Sequence, residues 1–298
     1  MTSKRIVFIV LLLLAAYFGF AFYAAYKLNL PTPTKIDASP NFVSQNYDNI
    51  DFNAVDGIKL KGWFFKSDSD KAIILVAGLA QNRINNDYYS IWLAHDLISQ
   101  GYSVLMYDTR GQGESQQTRL SFGNGTDGND ILGAVAYLNS IGFASGNIGI
   151  IGDSAGAITI LMIADKLNDI GALVIDSAAT RFKPVVSNTL TKEENVPKIF
   201  HPAIFYFDKI FFNLDIDQIN PIDKIILVPN RKFLFLHAEK DEGIPLQNSQ
   251  ELLSNANKDS KLVVFPNAGH VATYKSNPTL YRKEVFNFLE RELGKATN

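Results

Sequence analysis

Residues 148–157 of the chain, IGIIGDSAGA, place a serine between two glycines directly after an apolar run. Ser154 stands at the centre of the pattern G-x-S-x-G, which begins at Gly152 and ends at Gly156. In a sharp turn from strand to helix, side chains two residues before and after the serine would collide, so glycine fits both positions. Such a turn presents a serine hydroxyl as a nucleophile, and the next helix directs free N–H groups at the site. The pattern alone could also be an ordinary turn, so its meaning depends on a base and an acid elsewhere.

A possible base and a possible acid follow Ser154, each directly after a predicted strand. The stretch LVVFPNAGH ends at His270, and the stretch LFLHAEKDEGIP contains Asp241. In hydrolases with this order, histidine takes the serine proton and returns it to the leaving group, while the acid orients the imidazole. We therefore predict a catalytic triad of Ser154, Asp241 and His270. Three other carboxylates stay open as the acid: Glu239, Glu242 and Asp176.

The chain has only four histidines, so few candidates exist for the base. His95 lies in a predicted helix among core-like neighbours, and we expect a structural role for it. His237 ends a predicted strand and could hydrogen-bond to the acid loop. His201 lies in a variable segment and could contact substrate. His270 is therefore the preferred base.

The composition narrows the possible functions. The chain has 298 residues, a formal net charge of −2, and 47% hydrophobic and 19% charged residues, which is typical of a globular protein with a sizeable core. No basic stripe stands out, so nucleic acid is not expected as a partner. The absence of cysteine excludes disulfides, a thiolate nucleophile and cysteine-ligated zinc. No H-E-x-x-H pattern or similar cluster occurs, and we expect neither a metal nor a cofactor.

The chain opens with MTSKRIVFIVLLLLAAYFGFAFYAAYK, in which residues 6–26 carry no formal charge. As a helix this run would measure about 31 Å, close to the roughly 30 Å hydrocarbon core of a bilayer. A cleaved signal peptide would have a shorter apolar region followed by a small-x-small site, whereas Ala24 and Ala25 stand here between tyrosines. We therefore predict an uncleaved, single-pass membrane anchor.

The charges beside this run predict its orientation. Lys4 and Arg5 precede the run and outweigh Lys27, so the positive-inside rule places the N-terminus in the cytoplasm and the rest of the chain outside it. The stretch LPTPTK then fits a stiff extended linker, because its prolines block helix continuation. We divide the chain into three parts: an anchor over residues 1–30, a linker over 31–45 and a folded domain over 46–298.

Predicted strands and helices alternate through the folded domain. Strands are expected over residues 49–55, 58–67, 71–78, 102–108, 147–154, 170–178, 232–238 and 261–266. Helices are expected over residues 87–101, 127–142, 155–167, 249–256 and 280–293. The alternation predicts an α/β fold with a mostly parallel central sheet and helices on both faces. Ligands bind such sheets at the carboxyl ends of the strands, which is where the candidate residues lie.

Four motifs give the chain after residue 45 a resemblance to the α/β-hydrolase superfamily. YDTRGQGES (107–115) is similar to the family's D-x-R-G-x-G-x-S loop, GDSAG to its elbow, HAEKDEGIP to its acid loop and PNAGH to its histidine loop. With the predicted anchor, the chain looks like single-pass, membrane-anchored serine hydrolases, which include esterases, thioesterases and peptidase-like members. Within the first loop, we expect Asp108 and Arg110 to form a structural ion pair that braces the loop.

One stretch departs from the family pattern. Where the family usually carries His-Gly after the third strand, this chain reads AGLAQ over residues 77–81. Gly78 is kept, and it is the backbone of this loop that supplies the oxyanion hole. By resemblance, the N–H groups of Leu79 and Ala155 would stabilise the oxyanion.

An aromatic segment separates two predicted strands, and we name residues 178–220 the cap segment. It contains KIFHPAIFYFDKIFF, and its length fits one or two helices that roof the site. Aromatic rings beside a membrane anchor suit a pocket for an acyl chain or an apolar ester. The alternative is that the rings pack on the sheet. Three rings are the predicted substrate contacts: Phe200, Phe205 and Phe211.

The sequence favours a membrane-tethered serine hydrolase that cleaves small-molecule or acyl-chain carboxylic esters or thioesters through an acyl-enzyme on Ser154. A peptidase acting on short peptides is the alternative enzyme, because fold and triad do not separate amides from esters. A membrane-anchored binding protein that has lost catalysis is the alternative outside enzymes, and the intact Ser-Asp-His set argues against it. The sequence carries no signal for the oligomeric state.

Overall fold

The computed structural model describes residues 3–30, 33–84, 89–118 and 126–294. Parts of the predictions above therefore lie outside the described residues, namely those over 1–2, 31–32, 85–88, 119–125 and 295–298. The described residues form one eight-stranded sheet. Its strands are β1 (Tyr47–Asn53), β2 (Lys59–Phe65), β3 (Ala72–Val76), β4 (Ser103–Tyr107), β5 (Ile148–Asp153), β6 (Ala172–Asp176), β7 (Leu234–Ala238) and β8 (Lys261–Phe265).

The sheet is antiparallel at one edge and parallel elsewhere. In space the strand order is β1-β2-β4-β3-β5-β6-β7-β8. β1 and β2 form an antiparallel hairpin, and β2 pairs antiparallel with β4. From β4 to β8 every pairing is parallel. The carboxyl ends of these parallel strands therefore meet at one edge of the sheet, which is where a ligand site is expected.

Helices cover both faces of the sheet. Those of the described residues are α1 (Ser3–Leu28), α2 (Tyr89–Ser99), α3 (Thr126–Ser140), α4 (Ala155–Met162), α5 (Phe182–Lys192), α6 (His201–Phe211), α7 (Pro221–Ile225), α8 (Gln247–Asn255), α9 (Thr273–Ser276) and α10 (Pro278–Glu292). Residues of α2, α9 and α10 belong to one hydrophobic cluster, and residues of α3, α4, α7 and α8 belong to the other. The predicted α/β class is confirmed, including the mostly parallel sheet and the apolar N-terminal helix.

β3 shows how the sheet divides the core. All five of its side chains are buried. Ile74 lies in the cluster on the α3 and α4 face, and Ile73 and Leu75 lie in the cluster on the α2 and α10 face. Side chains of a strand alternate between faces, so a strand covered on both sides has a continuous apolar sequence. This is why the run over residues 71–78 could be assigned as a buried strand.

One predicted helix is shorter in the structure than expected. The helix expected over residues 155–167 ends at Met162, and a 3₁₀ turn over Ala164–Lys166 follows it. Such tightened turns are common at the ends of α-helices. The cap segment forms α5 and α6, and α7 follows it before β7 begins.

The N-terminal helix α1 is 26 residues long and apolar enough by length and composition to cross a membrane. Most of its side chains are exposed, and Ala21 and Ala25 are buried. These two small residues lie on the side of α1 that contacts the folded domain, where α6 packs against it.

Candidate active site

The nucleophile candidate Ser154 lies in a sharp turn between β5 and α4. Its backbone angles are φ 49° and ψ −118°. A positive φ is uncommon for a residue that has a side chain. Glycine is required on both sides of Ser154. A Cβ on Gly152 would lie 2.6 Å from Cδ1 of Ile160, and a Cβ on Gly156 would lie 2.4 Å from the carbonyl oxygen of Val76. The turn therefore has the tight packing that the G-x-S-x-G pattern predicts.

The structure brings Ser154, His270 and Asp241 together. Nδ1 of His270 lies 2.6 Å from Oδ2 of Asp241, and Nε2 lies 2.9 Å from Oγ of Ser154. A carboxylate only accepts hydrogen bonds, so Nδ1 carries the imidazole proton and Nε2 is free to accept the serine hydroxyl. The second carboxylate oxygen of Asp241 accepts the N–H groups of Gly243 at 3.0 Å and Ile244 at 2.7 Å. The acid is thus buried and held in one orientation.

The pKa of the imidazole follows from two opposing effects. Burial lowers the pKa of His270, but the hydrogen bond that its Nδ1–H donates to Asp241 and the negative charge of Asp241 raise it, and the net result is a pKa above the ordinary histidine value. Two further carboxyl groups add to this effect. Asp176 and Asp153 are in register on β6 and β5, and their charges also raise the pKa of His270.

The rival acids have other partners. Oδ2 of Asp176 accepts the hydroxyl of Thr273 at 2.5 Å, and Oδ1 accepts the hydroxyl of Ser177 at 3.0 Å. Glu239 accepts the backbone N–H of Asn267 at 3.0 Å. Glu242 is exposed, and its backbone carbonyl accepts from the cap segment. The carboxylate that hydrogen-bonds to His270 is that of Asp241.

The other histidines are placed as follows. His237 is buried between the Ser249 hydroxyl at 2.7 Å and the Ile244 carbonyl at 2.8 Å, so it supports the acid loop as expected. Burial lowers the pKa of His237. His201 is also buried, and its ring bonds to neighbours within the cap segment. His95 was expected among core side chains, but it lies on the exposed face of α2.

The predicted oxyanion groups line one small cavity. Leu79 and Ala155 both border a cavity of about 40 Å³ at the carboxyl ends of β3 and β4. Ala155 is the first residue of α4, and the first N–H groups of a helix have no partner within the helix. Gln112 borders the same cavity and is buried. Within the part of the chain that the structure describes, neither atom of its side-chain amide has a hydrogen-bond partner.

The prediction that Asp108 and Arg110 form an ion pair with each other is wrong. Asp108 pairs with the guanidinium of Arg83 at 2.6 Å and accepts two backbone N–H groups. Arg110 instead pairs with Asp130 at 2.7 Å and with Asp56 at 2.8 Å. Asp108 therefore links its own loop to the loop after β3, whereas Arg110 links the same loop to α3.

The three aromatic residues predicted to contact substrate are not brought together with the triad. Phe200 stacks on Tyr17 of α1, and Phe211 packs against Phe22 of α1. Phe205 borders a separate cavity of about 540 Å³ between α5 and α6. None of these three aromatic residues is among the described residues that border the cavity beside Leu79.

Two features were not found from the sequence. Asp153 is a buried carboxyl group directly before the nucleophile, and Gln112 is the buried amide beside the oxyanion groups. A charged residue within a continuous apolar strand was the available signal for Asp153, because isolated buried carboxylates are rare. In the described ranges, no group of three or more histidine, aspartate or glutamate side chains is arranged to hold a metal ion.

The fold and the serine at its elbow define an α/β hydrolase. The chain belongs to the prolyl oligopeptidase family, whose model matches residues 88–296. It is 28% identical over 241 residues to the uncharacterized protein YqkD of Bacillus subtilis, covering 78% of this chain and 76% of YqkD. It is 23% identical over 247 residues to the uncharacterized protein YfhR of Escherichia coli K12, covering 81% of this chain and 80% of YfhR.

Solved structures of other proteins share the fold. The Pyrococcus furiosus esterase Pf2001 superposes with a TM-score of 0.75 at 24% identity, covering 89% of this chain and 98% of the esterase. Est1E from Butyrivibrio proteoclasticus, solved with ferulic acid, superposes with a TM-score of 0.63 at 21% identity, covering 82% of this chain and 99% of Est1E.

A first prediction concerns the packing of the elbow. Replacing Gly156 with alanine should lower the free energy of unfolding by roughly 1–3 kcal/mol, because the new methyl group would overlap a backbone carbonyl that cannot move alone. The control is Gly19→Ala, since a Cβ at Gly19 meets nothing within 4 Å. Thermal unfolding in detergent measures both variants. Equal midpoints for Gly156→Ala and the wild type would show that β3 and α4 are not in contact at this point.

A second prediction concerns the pH dependence of the base. The imidazole must be neutral to accept a proton, and its pKa is raised in the folded chain, so kcat/KM for an ester should fall as the pH drops through a value above the ordinary histidine pKa of 6.5. In Asp241→Asn this limb should move to lower pH, and kcat should drop by about 10⁴. The control is Asp259→Asn, an exposed carboxylate on another loop. A limb unchanged by Asp241→Asn would exclude Asp241 as the partner of the base.

Proposed function

We propose that this chain is a serine hydrolase that cleaves carboxylic ester or thioester bonds through an acyl-enzyme on Ser154. The observation that carries the proposal is the continuous line of hydrogen bonds from Asp241 to His270 and from His270 to the Ser154 hydroxyl, at 2.6 Å and 2.9 Å. A nucleophile within hydrogen-bond reach of a base, which is itself oriented by a third group, is the arrangement that activates serine.

In the proposed reaction, Oγ of Ser154 attacks the substrate carbonyl while Nε2 of His270 takes the hydroxyl proton. The N–H groups of Leu79 and Ala155 stabilise the oxyanion that develops on the carbonyl oxygen. His270 then passes the proton to the leaving alcohol or thiol as the carbonyl re-forms. Water, deprotonated by the same imidazole, attacks the acyl-enzyme and releases the acid and free Ser154. Throughout, Asp241 stabilises the positive imidazolium.

Ester or thioester cleavage is favoured over peptide cleavage by the name of a structural neighbour, since Pf2001 is described as an esterase. The peptidase alternative is supported by the name of the family, prolyl oligopeptidase. Ester cleavage and peptide cleavage would both use Ser154, so assays with substrates, and not the triad, distinguish the two reactions.

We further propose that α1 is an uncleaved membrane anchor, with the N-terminus in the cytoplasm and the folded domain on the other side. The length and composition of α1 support this, because a helix of 26 residues with high hydropathy is long enough to span a bilayer. The paired charges of Lys4 and Arg5 before the apolar run support the orientation. In this proposal the anchor occupies residues 1–30, the linker 31–45 and the catalytic domain 46–298.

The test of the activity is covalent labelling with a fluorophosphonate probe, which reacts with activated serines. The wild-type chain should be labelled, whereas Ser154→Ala and His270→Ala should not. Ser254→Ala removes an exposed serine on α8 and should be labelled like the wild type. A series of esters, thioesters and short peptide amides then identifies the bond, and the proposal expects kcat/KM for esters to exceed that for amides.

Two outcomes would contradict the proposal. Absence of labelling in a wild-type chain that is folded by circular dichroism would favour the membrane-anchored binding protein. Labelling at Ser154 with turnover of peptide amides and not of esters would favour the peptidase.

A further inference from the structure

The second half of α1 lies along the cap helix α6. Aromatic rings pair in order along the two helices: Tyr17 with Phe200 at 5.0 Å, Phe20 with Phe200 at 4.5 Å, Phe22 with Phe207 at 5.6 Å and with Phe211 at 5.5 Å, and Tyr26 with Phe212 at 6.4 Å. Because the numbers rise together along both segments, the helices run side by side in the same direction.

Polar contacts fix both ends of this pairing. The hydroxyl of Tyr17 donates to the carbonyl of Ile199 at 2.7 Å. At the other end, the side-chain amide of Asn29 donates to the carboxyl group of Asp208 at 2.7 Å, and both of these residues are buried. Buried hydrogen bonds specify one arrangement, since the alternative leaves polar groups without partners. α1 and α6 are thus packed as one unit.

The outer surface of α6 is apolar although it is exposed. The exposed fractions are 61% for Tyr206, 56% for Ile210 and 52% for Phe211, and Ile199 in the 3₁₀ turn before α6 is 69% exposed. They continue the exposed apolar surface of the neighbouring half of α1, where Phe22 and Tyr23 are exposed. Lys209 is the charged residue on this side of α6, and it pairs with Asp215 at 2.7 Å. A contiguous exposed apolar surface on two adjoining helices indicates a binding surface.

The length of α1 indicates what covers this surface. Residues 3–16, which precede the paired region, would span only about 21 Å as a helix, which is less than the roughly 30 Å core of a bilayer. The apolar run fills the core only if the paired half of α1 also enters the lipid. Since α6 is packed along that half, it must then reach the lipid as well.

We propose that α1 and α6 form a single membrane-binding surface, in which α6 lies at the lipid boundary with Tyr206, Ile210 and Phe211 against the acyl chains. The occupant is a lipid bilayer, and the proposal rests on the anchoring stated under the proposed function. A helix with one apolar face is suited to this position. Of the aromatic residues of the cap segment, Phe200 and Phe211 then contact α1 or lipid, whereas Phe205 borders the cavity between α5 and α6.

The absence of cysteine from the chain makes a direct test possible. Single cysteines are introduced into the full chain at Leu11 in α1, at Ile210 in α6 and at Ile226 after α7. Ile226 is the matched control, because it is an isoleucine with the same exposed fraction of 56% as Ile210 but packs beside α7 rather than α6. Each variant is labelled with an environment-sensitive fluorophore and reconstituted in phosphatidylcholine vesicles that contain nitroxide-labelled lipid.

The proposal expects strong quenching by nitroxide lipid at Leu11→Cys and Ile210→Cys, and little quenching at Ile226→Cys. Quenching at Leu11→Cys with Ile210→Cys as weak as Ile226→Cys would overturn the proposed surface while leaving the anchor in place. Absence of quenching at all three positions would overturn the anchor itself. Equal quenching at Ile210→Cys and Ile226→Cys would show adsorption without a defined surface, and would also overturn the proposal.

Discussion

The whole site depends on the close approach of two backbones at the carboxyl edge of the sheet. The first turn of α4 lies so near the end of β3 that a single methyl group on Gly156 would lie 2.4 Å from the carbonyl oxygen of Val76. This contact sets the loop after β3, with Leu79, beside the helix start at Ala155. It also holds Ser154 at φ 49°, a conformation that costs about 1–3 kcal/mol and persists only where surrounding packing fixes it.

The parts of this arrangement that could be predicted from sequence are those with local signals. Each residue of the predicted triad follows a strand whose apolar run is visible in the sequence, and parallel strands bring their carboxyl ends to one edge. The positions of Ser154, Asp241 and His270 after these strands were therefore enough to predict that the three side chains lie close together. The ends of helices were harder to predict, because α4 ends at Met162 without a glycine or proline in the sequence to mark its end.

The parts that could not be predicted are choices of partner over long distances in the chain. Asp108 and Arg110 are two residues apart and of opposite charge, yet each pairs with a residue brought in by another element, Arg83 and Asp130. The cap aromatics pose the same problem on a larger scale. Their rings suggested a pocket, and the ring that stacks on Phe200 belongs to Tyr17, whose hydroxyl bonds to a carbonyl 182 positions further along. The composition of the cap segment indicates that an aromatic ring will be covered, but it does not indicate which residues will cover the ring.

Electrostatics at the base illustrates how burial limits the effect of charge. Three carboxyl groups surround the imidazole of His270, but burial raises the pKa of Asp153 to about 7 and that of Asp176 to about 6. Burial thus disfavours the charged form of Asp153, which weakens the effect of its charge on His270. The carboxylate of Asp241 accepts two backbone N–H groups and the imidazole N–H. The charge that stabilises the imidazolium thus comes chiefly from the single loop after β7, which His237 in turn supports from beneath through the Ile244 carbonyl.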